Sequence, residues 1–174
     1  MRAALFSRRH SNIQTRREKS RLGRPLCACS GSGVFSGYAS LFGERDQSGD
    51  VVMPGAFTTT LRRRGPREVR MLFQHDAGEP VGTWIDMHET ARGLHVTGRL
   101  DRNVQRAREL FSLLETRGLD GLSIGFKTVK AGRDRATASR LITEIDLWEI
   151  SLVTFPMLHG ARVSFVSTSE RVNV

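Results

Sequence analysis

No stretch of this 174-residue chain approaches the roughly 18 consecutive apolar residues of a membrane-spanning helix, so no bilayer span is expected. Cysteine is nearly missing. Cys27 and Cys29 are the only two, and one intervening residue is a poor spacing for a disulfide. Nor is there a second pair of ligands to complete a zinc site. Nothing in this usage suggests an oxidising compartment, so the expected setting is cytosolic, without metal or cofactor. Acidic residues are scarce at the N-terminus, where Arg2, Arg8, Arg9, Arg16, Arg17, Lys19, Arg21 and Arg24 face Glu18 alone. That segment holds +7 of the formal +9, leaving +2 for the rest of the chain. The basicity therefore belongs to a tail, which weakens a nucleic-acid reading of the folded part. Residues 1–32 also lack apolar periodicity and an export-type apolar core, and are expected to be a disordered or removable tail. Internal repeats and low-complexity tracts are absent from residues 33–166.

What is present after Gly33 is a series of short strands separated by turn signals. Strands are expected at Val34–Phe42, Val69–Gln74, Val81–His88, Gly93–Leu100, Leu119–Lys130, Arg140–Thr154 and Ala161–Val166. Pro54 can open a helix running to Arg64, with Phe57 and Leu61 as its buried stripe. Val104, Ala107, Leu110, Phe111 and Leu114 give Asn103–Thr116 a helical apolar face, stopped by Gly118. The pattern predicts a mainly β domain over residues 33–166, a seven-stranded, mostly antiparallel barrel with flanking helices, followed by a loose end at 167–174.

Within the fifth strand, Gly121–Leu122–Ser123–Ile124–Gly125–Phe126 sets a serine between two glycines in apolar surroundings. Such a serine is either a small hydroxyl bonded to nearby backbone or a nucleophile, with glycines admitting backbone N–H groups close to an oxyanion. A nucleophile needs a base, and the base a partner that orients it. His10 lies in the tail, His88 and His95 in hairpin strands, and His159 in a turn; His75 closes an apolar strand at an opening, which suits a base. Asp76, Asp146 and Glu149 are possible third members. The last two sit three apart in one strand, so they point to opposite faces and cannot both reach one histidine; Ser151 shares the face of Glu149. The G-x-S-x-G string, with Asp146 or Glu149 and then His159, also matches an α/β-hydrolase elbow, but the serine there must lead into a helix and here Phe126–Lys130 continues as strand.

Several stretches together resemble the prohead (capsid-maturation) proteases of tailed bacteriophages and gene transfer agents. They are Phe35–Gly37–Tyr38–Ala39–Ser40 with Phe42–Gly43, Gly49–Asp50–Val51–Val52 leading into Pro54–Gly55–Ala56–Phe57, Leu72–Phe73–Gln74–His75–Asp76, Pro80–Val81–Gly82, Gly121–Phe126 and Leu147–Pro156. The resemblance implies a serine peptidase with a fold similar to the herpesvirus assembly proteases. It places the nucleophile on Ser123, the histidine on His75 and the third member on Glu149, with Asp146 as the alternative. An acid departs from the histidine that the herpesvirus enzymes use as third member. Met157–Leu158–His159 replaces the family's usual Pro–Ala–Asn run, which leaves the oxyanion donors open, Arg162 among the candidates.

The resemblance further implies work inside an assembling procapsid in a bacterial cytoplasm, with the major capsid protein or scaffold as substrate. Self-association and self-cleavage near residues 1–32 or the C-terminal end are also implied. The competing class is a non-enzymatic scaffold or nucleic-acid-associated module that uses the arginine-rich tail for phosphate contacts.

Overall fold

The computed structural model describes residues 32–167, so the expectations for the N-terminal tail and the C-terminal end fall almost wholly outside the described residues. The strands are β1 (Val34–Leu41), β2 (Asp50–Val52), β3 (Arg70–Phe73), β4 (Asp76–Glu89), β5 (Gly93–Leu100), β6 (Gly121–Arg133), β7 (Arg140–Val153) and β8 (Val163–Val166). The helices are α1 (Thr58–Arg64) and α2 (Gln105–Glu115). Alternation drives the strands: Phe35, Ala39 and Leu41 in β1 and Leu94, Val96 and Leu100 in β5 all turn inward and are buried. In β4 the inward residues fall at Val81, Trp84 and Met87; a bulge between Trp84 and Asp86 shifts the phase so that Met87, and not Asp86, turns in after Trp84. Phe35 meets Trp84 edge to face at 5.7 Å in the centre of this core.

The eight strands make one mixed sheet in the order β2-β7-β3-β4-β5-β1-β8, with β6 on the other edge of β7. This corrects the expected antiparallel barrel of seven strands: Asp50–Val52 adds an eighth, and the sheet departs from the expectation in two further respects. β2 and β3 both run parallel to β7, end to end along one of its edges, against Arg140–Ile142 and Glu149–Leu152. Strand patterning carries no information about pairing direction; the α1 crossover decides it. The sheet also does not close. Where the chain entering β8 meets the start of β6, the contact is an isolated bridge between Gly121 and Arg162. Only Leu122 N–H to Ala161 O (2.9 Å) and Val163 N–H to Asp120 O (2.8 Å) flank it, after which four-residue β8 pairs with β1 instead.

The expected helices form, with shifted ends. α1 begins at Thr58 and not Pro54, since the preceding turn is held by the Glu89 carboxylate, which accepts from Gly55 N–H (2.9 Å) and Phe57 N–H (2.7 Å). Between β2 and β3 it lies along β7, where the buried Thr60 hydroxyl donates to Ile145 O (2.5 Å) and accepts from Leu147 N–H (3.2 Å). α2 buries Ala107, Leu110, Phe111 and Leu114 as its spacing predicts. Arg117, and not Gly118, takes the left-handed conformation after it. β4 starts at Asp76, five residues before the expected Val81, and β6 runs to Arg133, into the expected loop. No helix among the described residues is long and apolar enough to cross a membrane.

Candidate active site

β7 is the reference strand of the site because both its edges are paired along the same few residues. Ser151 is the register partner of Ser123 in β6 and of Leu72 in β3, and Glu149 that of Gly125 in β6. Residues two apart in a strand share a face, as do directly opposed residues in neighbouring strands. Ser123, Ser151 and Glu149 therefore project from one face of the β6–β7 pair. Gly125 lies opposite Glu149, and a Cβ there would stand 2.0 Å from Glu149 Oε1; the missing side chain leaves the carboxylate its space.

His75 reaches that face by a different device. β3 turns into β4 through Gln74 and His75 alone, with φ of 53° and 61°. Two consecutive positive φ values mark a type I′ hairpin turn, where Asn-Gly or Asp-Gly is usual and a longer side chain in the left-handed region costs roughly 1–2 kcal/mol. Neither residue is glycine, asparagine or aspartate. The turn thus holds strain at the position that bears the imidazole.

Three hydrogen bonds secure the ring. His75 Nδ1 lies 2.6 Å from Glu149 Oε1, Ser151 Oγ donates to Glu149 Oε2 at 2.7 Å, and His75 N–H donates to Ser151 Oγ at 3.0 Å. The Glu149 side chain is sheltered at 13% exposure, while that of His75 is 43% exposed, so the pair is closed at the carboxylate and open at the imidazole. With an ionised Glu149 accepting from Nδ1–H, the lone pair of a neutral ring resides on Nε2. Ser123 is 4% exposed and lines a cleft of about 170 Å³ with Ala39, Leu41, Leu122, Met157 and Leu158. Among the described residues no hydrogen bond links its hydroxyl to His75.

A family model for the caudovirus prohead serine protease matches residues 23–173. The chain belongs to that family. The prohead protease of Enterobacteria phage HK97 is 34% identical over 142 residues, 80% of this chain and 63% of that protein. The prohead protease of Escherichia phage T5 is 31% identical over 121 residues, 69% of this chain and 56% of its own length. The chain thus spans under two thirds of either curated relative. The KSHV protease, solved with a hexapeptide phosphonate inhibitor, matches with a TM-score of 0.51 over 75% of this chain and 63% of that one. At 16% identity this likeness shows a shared fold.

The other candidates lie elsewhere. Asp146 is on the far face, held by Arg64 (3.1 Å to Oδ2, 2.9 Å to Oδ1), Arg63 (3.5 Å) and the Trp148 indole (2.9 Å). Asp76 accepts from Gly78 N–H at 2.7 Å in a local turn. The Arg162 guanidinium is shared between Asp120 and the His159 carbonyl. β6 continues as strand from Ser123 to Arg133, so no hydrolase-type elbow exists. His88 pairs with Asp86 at 2.7 Å and lies tilted against the ring of His95, whose pKa is lowered by burial and by the neighbouring His88. No cluster among the described residues could hold a metal ion. The sequence reading put Ser151 on the right face but missed its two hydrogen bonds. It also missed the strained turn, which carries no glycine or asparagine to announce it.

Proposed function

We propose that this protein is a serine endopeptidase of phage capsid maturation, in which Ser123 is the nucleophile, His75 the general base and Glu149 the residue that orients and charge-balances the imidazole. The observation that carries the reading is the 2.6 Å His75–Glu149 contact on the face from which Ser123 projects. Membership of the prohead protease family supports the reaction class.

The chemistry is acyl transfer. His75 Nε2 takes the Ser123 proton as Oγ attacks the scissile carbonyl carbon, and the imidazolium formed is stabilised by Glu149. Collapse of the tetrahedral intermediate breaks the C–N bond, and His75 gives its proton to the departing amine. Water, deprotonated by the same ring, then releases the acyl group and restores the serine. Backbone N–H groups beside Ser123 would hold the oxyanion, each such donor contributing about 2.7–4 kcal/mol to the barrier reduction.

The substrate in this reading is the N-terminal segment of the major capsid protein or a scaffold, cut inside the assembling procapsid in the bacterial cytoplasm, with self-processing near residues 1–32 or the C-terminal end. Confinement in a shell raises effective concentration, so modest intrinsic turnover suffices. Ser123→Ala is expected to fold and to abolish cleavage of co-expressed capsid protein, read by intact mass; cleavage by the purified variant sinks the assignment. Deleting residues 1–32 is expected to spare proteolysis, whereas a phosphate-binding module would lose its function.

A further inference from the structure

Ser151 is fully buried, and both bonds of its hydroxyl end on the His75–Glu149 pair. Their directions are fixed. A backbone N–H can only donate, so Ser151 Oγ accepts from His75 N–H, and its one proton goes to Glu149 Oε2. That oxygen must be an acceptor. The second carboxylate oxygen faces Nδ1, which closes a circuit beginning and ending on His75: backbone N–H, serine hydroxyl, carboxylate, ring N–H.

Resting on the catalytic assignment above, we propose that Ser151 is a positioning residue for the peptidase reaction, clamping both the strained backbone and the ring of His75 through Glu149 and so presenting Nε2 to Ser123. Three features of the circuit carry this. The hydroxyl gives its one proton and accepts one hydrogen bond within the circuit, and it has no other hydrogen-bond partner among the described residues. It satisfies the N–H of a non-glycine residue held at φ 61°, which lacks any other hydrogen-bond partner. And Ser151 is paired with Ser123 across one ladder and with Leu72, three residues before His75, across the other, so one side chain stands between nucleophile and base. A serine kept only for its small size would need neither bond.

The test uses the full chain and two readouts. The first is the far-downfield proton resonance of an imidazole N–H shared with a carboxylate, identified by its loss in His75→Gln. The second is the rate at which a fluorophosphonate probe labels Ser123, with Ser123→Ala as the blank. Ser151→Ala is expected to remove or shift the resonance and to slow labelling roughly ten- to hundredfold, the range for one lost hydrogen bond to a charged group. In a Glu149→Ala background the same substitution is expected to change labelling less than about twofold, because residues acting as a unit are not additive. Ser151→Cys, which keeps the volume but bonds weakly, should match Ser151→Ala and serves if the alanine variant unfolds. An unchanged resonance, or equal losses in both backgrounds, overturns the clamp. A wild-type protein that shows the resonance but is not labelled at Ser123 overturns the catalytic assignment and leaves the clamp standing.

Discussion

Gly125→Ala tests whether Glu149 must occupy its observed position. An ideal Cβ at residue 125 falls 2.0 Å from Glu149 Oε1, 2.7 Å from Cδ and 2.9 Å from Cγ. Three atoms of one side chain are too close, so Glu149 must rotate away as a whole, and rotation abandons the bonds to His75 and Ser151. Bonds to a charged group contribute about 1.5–3 kcal/mol each, but His75 is 43% exposed and screened, and alanine gains about 0.5–1 kcal/mol over glycine in a strand. The expected net loss of stability is therefore small, about 1–2 kcal/mol, a fall in Tm of roughly 2–8 °C. The catalytic effect should be far larger, because loss of the group that orients a catalytic imidazole costs on the order of 10⁴ in rate. Gly132→Ala, in the same strand with nothing within 4 Å of the added carbon, is the control: labelling should be unchanged, and Tm should stay level or rise slightly by the same alanine gain. Fluorophosphonate labelling and a thermal melt of the three proteins decide the matter. A Gly125→Ala protein that labels within about twofold of wild type would refute the reasoning, since the imidazole would then work without its observed partner.

Two further outcomes are expected. Glu149→Gln should slow acylation strongly with little change in Tm, whereas Asp146→Asn should loosen its contacts with Arg64 and Trp148, cost about 1 kcal/mol in denaturant melts and spare acylation; the reverse order would transfer the orienting role. The lowered pKa of His95, caused first by burial and then by His88 and opposed by Asp86, means that the fold prefers the neutral ring while the unfolded chain protonates near 6.5. Its contribution to stability is present above about pH 6.5 and is lost as pH falls from there through the folded pKa. His95 faces His88 and Asp86 of β4 and meets Tyr38 of β1 edge to face, with Arg92 over the Tyr38 ring. His95→Phe should therefore flatten the decline in urea midpoint between pH 7.5 and 5.5, and an unchanged slope would exclude His95 as its source.

How much of this was legible can be followed along β7. Period two separates Asp146 from Glu149, and in the structure the first meets Arg64 while the second meets His75. The apolar residues of α2 likewise announced its buried face. The neighbours of β7 were not legible. Nothing in Asp50–Val52 or Arg70–Phe73 states that these segments run parallel to it, because alternation is the same in either direction. Nor did Gln74–His75 read as a two-residue turn, since turn chemistry is recognised by the glycine or asparagine that this turn lacks. The start of β4 was hidden for a related reason. Phe73 pairs with Asp76 but Leu72 with Pro80, and the three residues between bulge out, so that Gly78 in the bulge and Pro80 at its end suggested a loop.

Because Ser151 is the shared register point for β6 and β3, the chain should differ sharply in where it tolerates a change of length. Adding or deleting one residue in the connection at 135–138 lengthens or trims an exposed link and leaves both pairings beyond it intact. The same change between Leu147 and Ser151 would turn Glu149 or Ser151 to the opposite side, sending the carboxylate toward the arginines of α1. Length variation among functional homologues should therefore collect in that connection and vanish over these few positions of β7.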